Sequence, residues 1–295
     1  LSSGPLSHSP LRAIHGPPRL RERLGTALVW GAALLVSSLF IWLIADVLRF
    51  GAQEISWRYL TSVPLDAGRG GGIGPIIIST LLILLIAMLA ATPVSLAAGI
   101  FVAEFTDPQR GVGALIGRSL DLLAAIPSIV IGLFGNAFFC VTLGLGFSIL
   151  AGGLTLACMA LPMMTRAVET GLRSVPPSYR DGARALGLSR CTALLHIGLP
   201  CAAPALAMGL VLGIGRALAE SAALIFTSGY VTRSPESLLD SGRALAVHVF
   251  DLAMNVPGAD RKAYGAALVL LVLLLIINLT ARWSAKWWER RGAGE

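Results

Sequence analysis

Long stretches of this chain carry no charged residue at all, and that pattern narrows what it can fold into more than any other feature. Residues 24–45, 70–103, 122–165 and 263–281 contain no Asp, Glu, Lys or Arg. An α-helix rises about 1.5 Å per residue, so about 20 apolar residues carry it across the hydrocarbon core of a bilayer. Only 13% of the 295 residues are charged, where a soluble domain has about 25%. A surface so short of charge cannot be solvated by water alone. The expectation is an all-α integral membrane protein.

Counting runs against that length predicts six transmembrane helices. Residues 24–45 supply the first. The second occupies 70–103, opening on the Gly70-Gly71-Gly72 loop and tolerating Pro93. The 44 residues of 122–165 are too many for one span, and Gly144-Leu145-Gly146 predicts a tight turn between a third and a fourth. A fifth begins near Pro204 and contains Arg216 and Glu220, and a sixth covers Ala263 to Ala281. Residues 1–23, with four prolines and four arginines, predict a disordered basic tail. The first apolar run exceeds the core of a signal peptide and lacks a clear cleavage site, so it is expected to remain as a span.

With the N-terminus inside, the inner segments hold fifteen Lys and Arg and the outer segments seven. That bias predicts both termini in the cytoplasm. The seven outer cations are matched by seven outer acids, Asp46, Glu54, Asp66, Glu236, Asp240, Asp251 and Asp260. The net charge of +7 therefore reads as an orientation signal and not as a nucleic-acid surface. Trp283, Trp287 and Trp288 are expected to anchor the inner end of span six. Cys140, Cys158, Cys191 and Cys201 form no C-x-x-C pair, and they are expected to pack as ordinary side chains.

The inner segment between spans four and five, residues 176–200, carries consistent local signals. Pro176 and Pro177 disfavour continuation of the preceding helix. Ser178 with Asp181 fits a capping box, Gly187 suits a helix C′ position, Ser189 can cap a second short helix, and Pro200 should limit it. Two short helices joined at a glycine look built for a protein partner. This loop resembles the EAA loop of ABC importer permeases: E-A-A, three residues, Gly, nine residues, I-x-L-P. Asp181-Gly182-Ala183, Gly187, Ile197, Leu199 and Pro200 stand at those spacings, with Asp for Glu and Gly182 for the first Ala. The resemblance implies the transmembrane-domain architecture of type I importers over 70–285, with Ser178, Tyr179, Arg180, Asp181, Ala183, Gly187, Ile197, Leu199 and Pro200 coupling to an ATPase. No G-x-x-x-x-G-K-[ST] loop is present, so ATP and Mg are expected on a separate subunit and no cofactor on this chain.

Further segments are similar to PstA-type permeases of phosphate importers. They are Gly71–Pro75, Ala97–Glu104, Ile126–Phe134, Arg216-Ala-Leu-Ala-Glu-Ser221 and Ala263–Val269. The resemblance implies import of inorganic phosphate, a homologous second permease, two ATPase subunits and an external phosphate-binding protein, all around a bacterial inner membrane. Physical chemistry allows an anion. Arg216 and Glu220, at i and i+4 in a helix, would share one face. Arg216 would lie roughly 23 Å along the axis from Cys201 at about 1.5 Å per residue, and an Arg at such a depth pairs or lines a polar path. Its planar fork suits phosphate oxygens. A salt bridge that only locks helices explains the same pair. Arg216, Glu220, Ser221, Arg166 and Glu169 are the substrate-path candidates, with Arg166 and Glu169 suiting an inner gate or an interfacial position.

Lesser expectations follow. His196 should sit on the loop surface, Asp121 should be a helix N-terminal charge, and Glu104 and Asp107 should only mark the interface. Gly209-Leu-Val-Leu-Gly213 allows close helix packing. Ser234-Pro235-Glu236 predicts the start of an amphipathic outer helix carrying Leu238, Leu245, Val249 and Leu252. Competing readings are import of sulfate or molybdate, an ion-coupled secondary transporter, and an intramembrane enzyme. No H-E-x-x-H or G-x-S-x-G motif supports the last.

Overall fold

A computed structural model describes residues 20–107 and 110–292, with side chains over 23–107 and 110–283. The chain divides into two units at Asp46/Val47. The first is helical throughout its described part, the N-terminal portion of α1 (Leu20–Gly51). Side chains 23–45 are exposed without exception, including Trp30, Phe40 and Trp42. A helix apolar on every side with no water-facing stripe is suited to lipid. Of the expected tail, residues 1–19 lie outside the described residues. Leu20 to Arg23 are helical, because nothing after Pro18 interrupts the backbone.

The second unit is built around α6 (Ile149–Arg173), which packs between α3 (Gly74–Phe105) and α9 (Leu199–Ala219). Glycines permit the close approach. A Cβ on Gly99 would stand 2.5 Å from Val168, and one on Gly153 would stand 2.5 Å from the Ile86 side chain. Gly209 and Gly213 face Ala167 and Met164 of α6, so the G-x-x-x-G of α9 is a packing seam. The main core joins Ile83 and Leu84 of α3, Leu156 and Met159 of α6, and Ile214 and Leu218 of α9. Buried Thr80 beside it is satisfied twice: its Oγ1 donates to Ile76 O at 2.7 Å and accepts the Leu245 amide at 2.8 Å.

Among the described residues, five helices are long and apolar enough to cross a membrane, and a bent pair makes a sixth. That pair corrects the third expected span. Instead of one helix over 122–143, α4 (Gly111–Ala125) and α5 (Ser128–Gly135) meet at 97°, and π-helical turns continue α5 over Asn136–Thr142. Ile126 precedes Pro127, which pushes it to extended backbone at ψ 129°; Pro127 is extended too, at ψ 138°. Two extended residues turn the axis. Gly144 and Gly146, at φ 69° and 61°, then make the tight turn that the sequence predicts.

At the end of the bundle where α3 begins lie α2 (Trp57–Thr61) and a two-stranded hairpin, β1 (Pro64–Leu65) with β2 (Gly70–Gly71). Helix α3 starts only after this Gly-rich hairpin. The last helix is α12 (Asp260–Gly292). Trp283 is exposed, whereas the side chains of Trp287 and Trp288 lie outside the described residues. The amphipathic helix expected from Ser234 begins instead at Leu245, as α11 (Leu245–Met254). Upstream, Asp240 accepts the amides of Glu236 and Ser237 at 2.8 and 3.2 Å. Those bonds, helped by Arg233, hold its carboxyl below the usual range and close a turn where a helix would have started. Helix α11 is no interfacial strip, since Leu245, Val247, His248 and Leu252 are all buried.

Candidate functional site

Residues 176–200, expected to couple to an ATPase, lie at the opposite end of the bundle, beside the end of α3. Helix α7 (Pro177–Ala185) is capped by Pro176, with no side-chain cap bond. This corrects the Ser178–Asp181 capping box. Pro177 is pre-shaped for the first helical turn, so the helix starts ahead of Ser178. Ser178 is exposed, and Asp181 pairs with Arg184 on the surface at 3.2 Å. Gly187 adopts φ 70°. Its amide donates to Arg184 O and the Leu188 amide to Ala183 O, both at 3.0 Å. These two bonds make a Schellman motif, which uses the left-handed residue at C′ to satisfy terminal carbonyls.

Ser189 caps α8 (Arg190–Ala193), its Oγ accepting the Thr192 amide at 3.1 Å. The second short helix does not end at Pro200, however. It passes through a π-helical stretch, Leu194–Gly198, into α9, giving one helix over Arg190–Ala219. Pro200 falls in the first turn of α9 and follows the widened π turn, where its missing amide and ring are accommodated. Ile197, Leu199 and Pro200 are therefore the base of the fifth span. Cys191 and Cys201, both expected to pack, are exposed, and so is His196.

Of α7 only Ala183 is buried and Arg180 half-buried; the other residues, Tyr179 included, are exposed. Arg180 forks onto Glu104 of α3, with Nη2–Oε1 at 2.8 Å and Nη1–Oε2 at 3.1 Å, and Nη2 also donates to Leu172 O of α6 at 3.0 Å. Glu104 is thus more than an interface marker. A cavity of about 440 Å³ separates α7 and α8 from the end of α3, lined by Phe105, Leu188, Leu194 and Arg190 among others.

Arg166 and Glu169 pair as expected, Nη1–Oε2 at 2.9 Å, but within a larger network. Glu169 is buried, and its other oxygen accepts Arg173 Nε at 3.1 Å. Arg173 Nη2 reaches Val102 O at 2.8 Å near the C-terminus of α3, where a cation complements exposed carbonyls. Arg166 Nη2 donates to Gly117 O at 2.7 Å and to Asp121 at 2.8 Å. Asp121 lies inside α4, not at its N-terminus. Arg166 thereby binds α4 to α6.

The proposed Arg216–Glu220 pair does not form. Helix α9 ends at Ala219, and Glu220 is extended at φ −81°, ψ 126°, which removes the i, i+4 geometry. Glu220 Oε1 instead accepts the Ala223 amide at 3.2 Å, at the start of the short α10 (Ala222–Ile225). Arg216 is exposed with no ion-pair partner among the described residues, and Ser221 makes no side-chain cap bond.

Four expected outer cations meet four outer acids: Arg69–Asp66, Arg233–Asp240, Arg243–Asp251 and Lys262–Glu54. Arg243 sits between Asp251 at 2.8 Å and His248 Nδ1 at 3.3 Å. Burial and the neighbouring Arg243 charge push the His248 pKa down to about 4, against the opposing pull of Asp251. Sequence reasoning missed Glu104, Asp121, Arg173 and this His248 cluster as structural partners. A signal was present in charges at the ends of apolar runs, but pairing them needed spatial proximity across as many as 76 residues. Among the described residues no three His, Cys, Asp or Glu side chains converge as a metal site would require.

Residues 95–293 match the family described as the binding-protein-dependent transport system inner membrane component. A probable ABC transporter permease protein, YqgI of Bacillus subtilis, is 31% identical over 280 residues, covering 90% of this chain and 95% of that protein. The phosphate transport system permease protein PstA 2 of Mycobacterium bovis is 32% identical over 286 residues, covering 93% of each chain. The solved structure of a bacterial ABC transporter involved in alginate import superposes with a TM-score of 0.62 at 16% identity, over 91% of this chain and 98% of that one. That likeness extends to fold alone, the transmembrane-domain architecture of type I importers. The chain belongs to the family of binding-protein-dependent transport system inner membrane components.

Proposed function

We propose that this chain is a permease subunit of an ATP-driven importer of inorganic phosphate in a cytoplasmic membrane, with both termini on the cytoplasmic side. It works beside a homologous second permease, two ATPase subunits that bind ATP and Mg, and an external phosphate-binding protein. The observation that carries the cargo is the 32% identity to a named phosphate permease over 93% of both chains. In this reading α7 and the Gly187 turn dock on the ATPase. Exposed Ser178, Tyr179, Asp181 and Leu186 are the contact side chains. Arg216, exposed and without an ion-pair partner among the described residues, meets the anion along the path, with Glu220 and Ser221 shaping the backbone break beside it. The Arg166–Glu169 network lies at the α7 end of the bundle and acts as a gate. Phosphate uptake in cells lacking their other phosphate importers, with and without this chain and its partners, tests the assignment. ATP-dependent phosphate uptake that requires this chain is expected; uptake of sulfate or molybdate in its place would overturn the cargo.

A further inference from the structure

The geometry points to the Arg180–Glu104 pair as the positioning clamp that delivers displacement of the α7 loop to α3 and α6. This rests on the reading of residues 176–200 as an ATPase-docking loop. Arg180 makes three charge-assisted bonds at once, two to the Glu104 carboxylate and one to Leu172 O. It therefore ties α7 to the ends of two different spanning helices. Alongside the clamp, α7 is separated from the end of α3 by the 440 Å³ cavity. Packing at that side is thin, and the guanidinium fork is the lateral link. A fork resists shear in a way that a point charge does not, because two parallel bonds fix orientation as well as distance.

The link continues. Arg173 joins the end of α3 to Glu169, and Glu169 joins Arg166, which holds Gly117 O and Asp121 of α4. Helix α4 is the first limb of the 97° bend. A push on α7 thus reaches the bent span through two sets of short polar contacts, joined by the helix backbone between Val102 and Glu104 and between Leu172 and Arg173. The pair is too exposed, at 36% and 26%, to be mainly a stability device. Its removal should disturb transmission more than folding.

The test uses the assembled transporter in proteoliposomes, with its ATPase and binding protein, and measures phosphate moved per ATP hydrolysed together with the unfolding midpoint. Arg180→Gln and Glu104→Gln are each expected to lower that ratio about fivefold or more, the lower range for a coupling interaction, with midpoints shifted by no more than about 2–4 °C. Arg180→Lys, which keeps charge without the fork, should fall between wild type and Gln. The double variant should be no worse than either single, because both changes remove one unit. An unchanged ratio in the single variants, losses that multiply in the double, or losses that track the midpoint would overturn the clamp. A wild type without ATP-dependent uptake would overturn the docking reading and the clamp together.

Discussion

Replacing Gly187 isolates a backbone cost, because the residue sits at φ 70° while a Cβ there would meet nothing within 4 Å. No side chain has to move, so the whole effect comes from holding an L-residue in the left-handed region. That costs about 1–2 kcal/mol for an ordinary residue, and Asn bears it more easily than most. A β-branched residue is worse still. Loss of 1–2 kcal/mol lowers the population of the capped turn by about 5–30-fold relative to its open forms. The Arg184 and Ala183 carbonyls that the turn satisfies would then be released. ATP-dependent phosphate uptake in vesicles, normalised to protein in the membrane, should fall in the order Gly187, Gly187→Asn, Gly187→Ala, Gly187→Val. The binding-protein-stimulated ATPase rate should follow the same order. Wild-type uptake in Gly187→Val would refute the argument, since the turn would then be dispensable for coupling.

Three further outcomes can be checked. Arg216→Lys should lower phosphate uptake at normal membrane levels, because a point charge cannot reproduce a bidentate fork. Glu220→Gln should be better tolerated, since Gln keeps an acceptor for the Ala223 amide; equal uptake by both variants would remove Arg216 from the path. His248 lies in α11, outside the spanning helices, and its pKa is lowered from 6.5 to about 4. Between those values the unfolded chain binds more protons, so stability present above pH 6.5 is lost progressively as pH falls toward 4. The unfolding midpoint should drop over that window in wild type and change less in His248→Gln. A topology reporter inserted after Arg190 should be cytoplasmic and one near Gly258 external, and reversed labelling at either would invert the proposed orientation.

The Gly144–Gly146 turn, the Gly187 cap and every expected span except the bent third were legible because each rests on local physics. Uncharged length decides crossing, and a residue without Cβ decides a left-handed turn. The EAA spacing was legible for a similar reason, being a pattern along the chain. Pairing was not legible in the same way. Arg216 and Glu220 stand at helical spacing, yet the helix ends between them, and the extended Glu220 backbone sends its carboxylate to Ala223. Likewise Ser178 and Asp181 fit a cap one position away from where Pro177 starts the helix. Asp121 found Arg166, and Glu104 found Arg180, only when helices far apart in sequence were packed together. Sequence alone determined that the chain is a multi-span α-helical membrane protein with a glycine-terminated helix between its fourth and fifth spans, since burial and backbone conformation depend on residue type and spacing. Tertiary packing decided which charge meets which, because electrostatic partnership depends on distance in space, and distance is set by how α3, α4, α6 and α7 pack against one another.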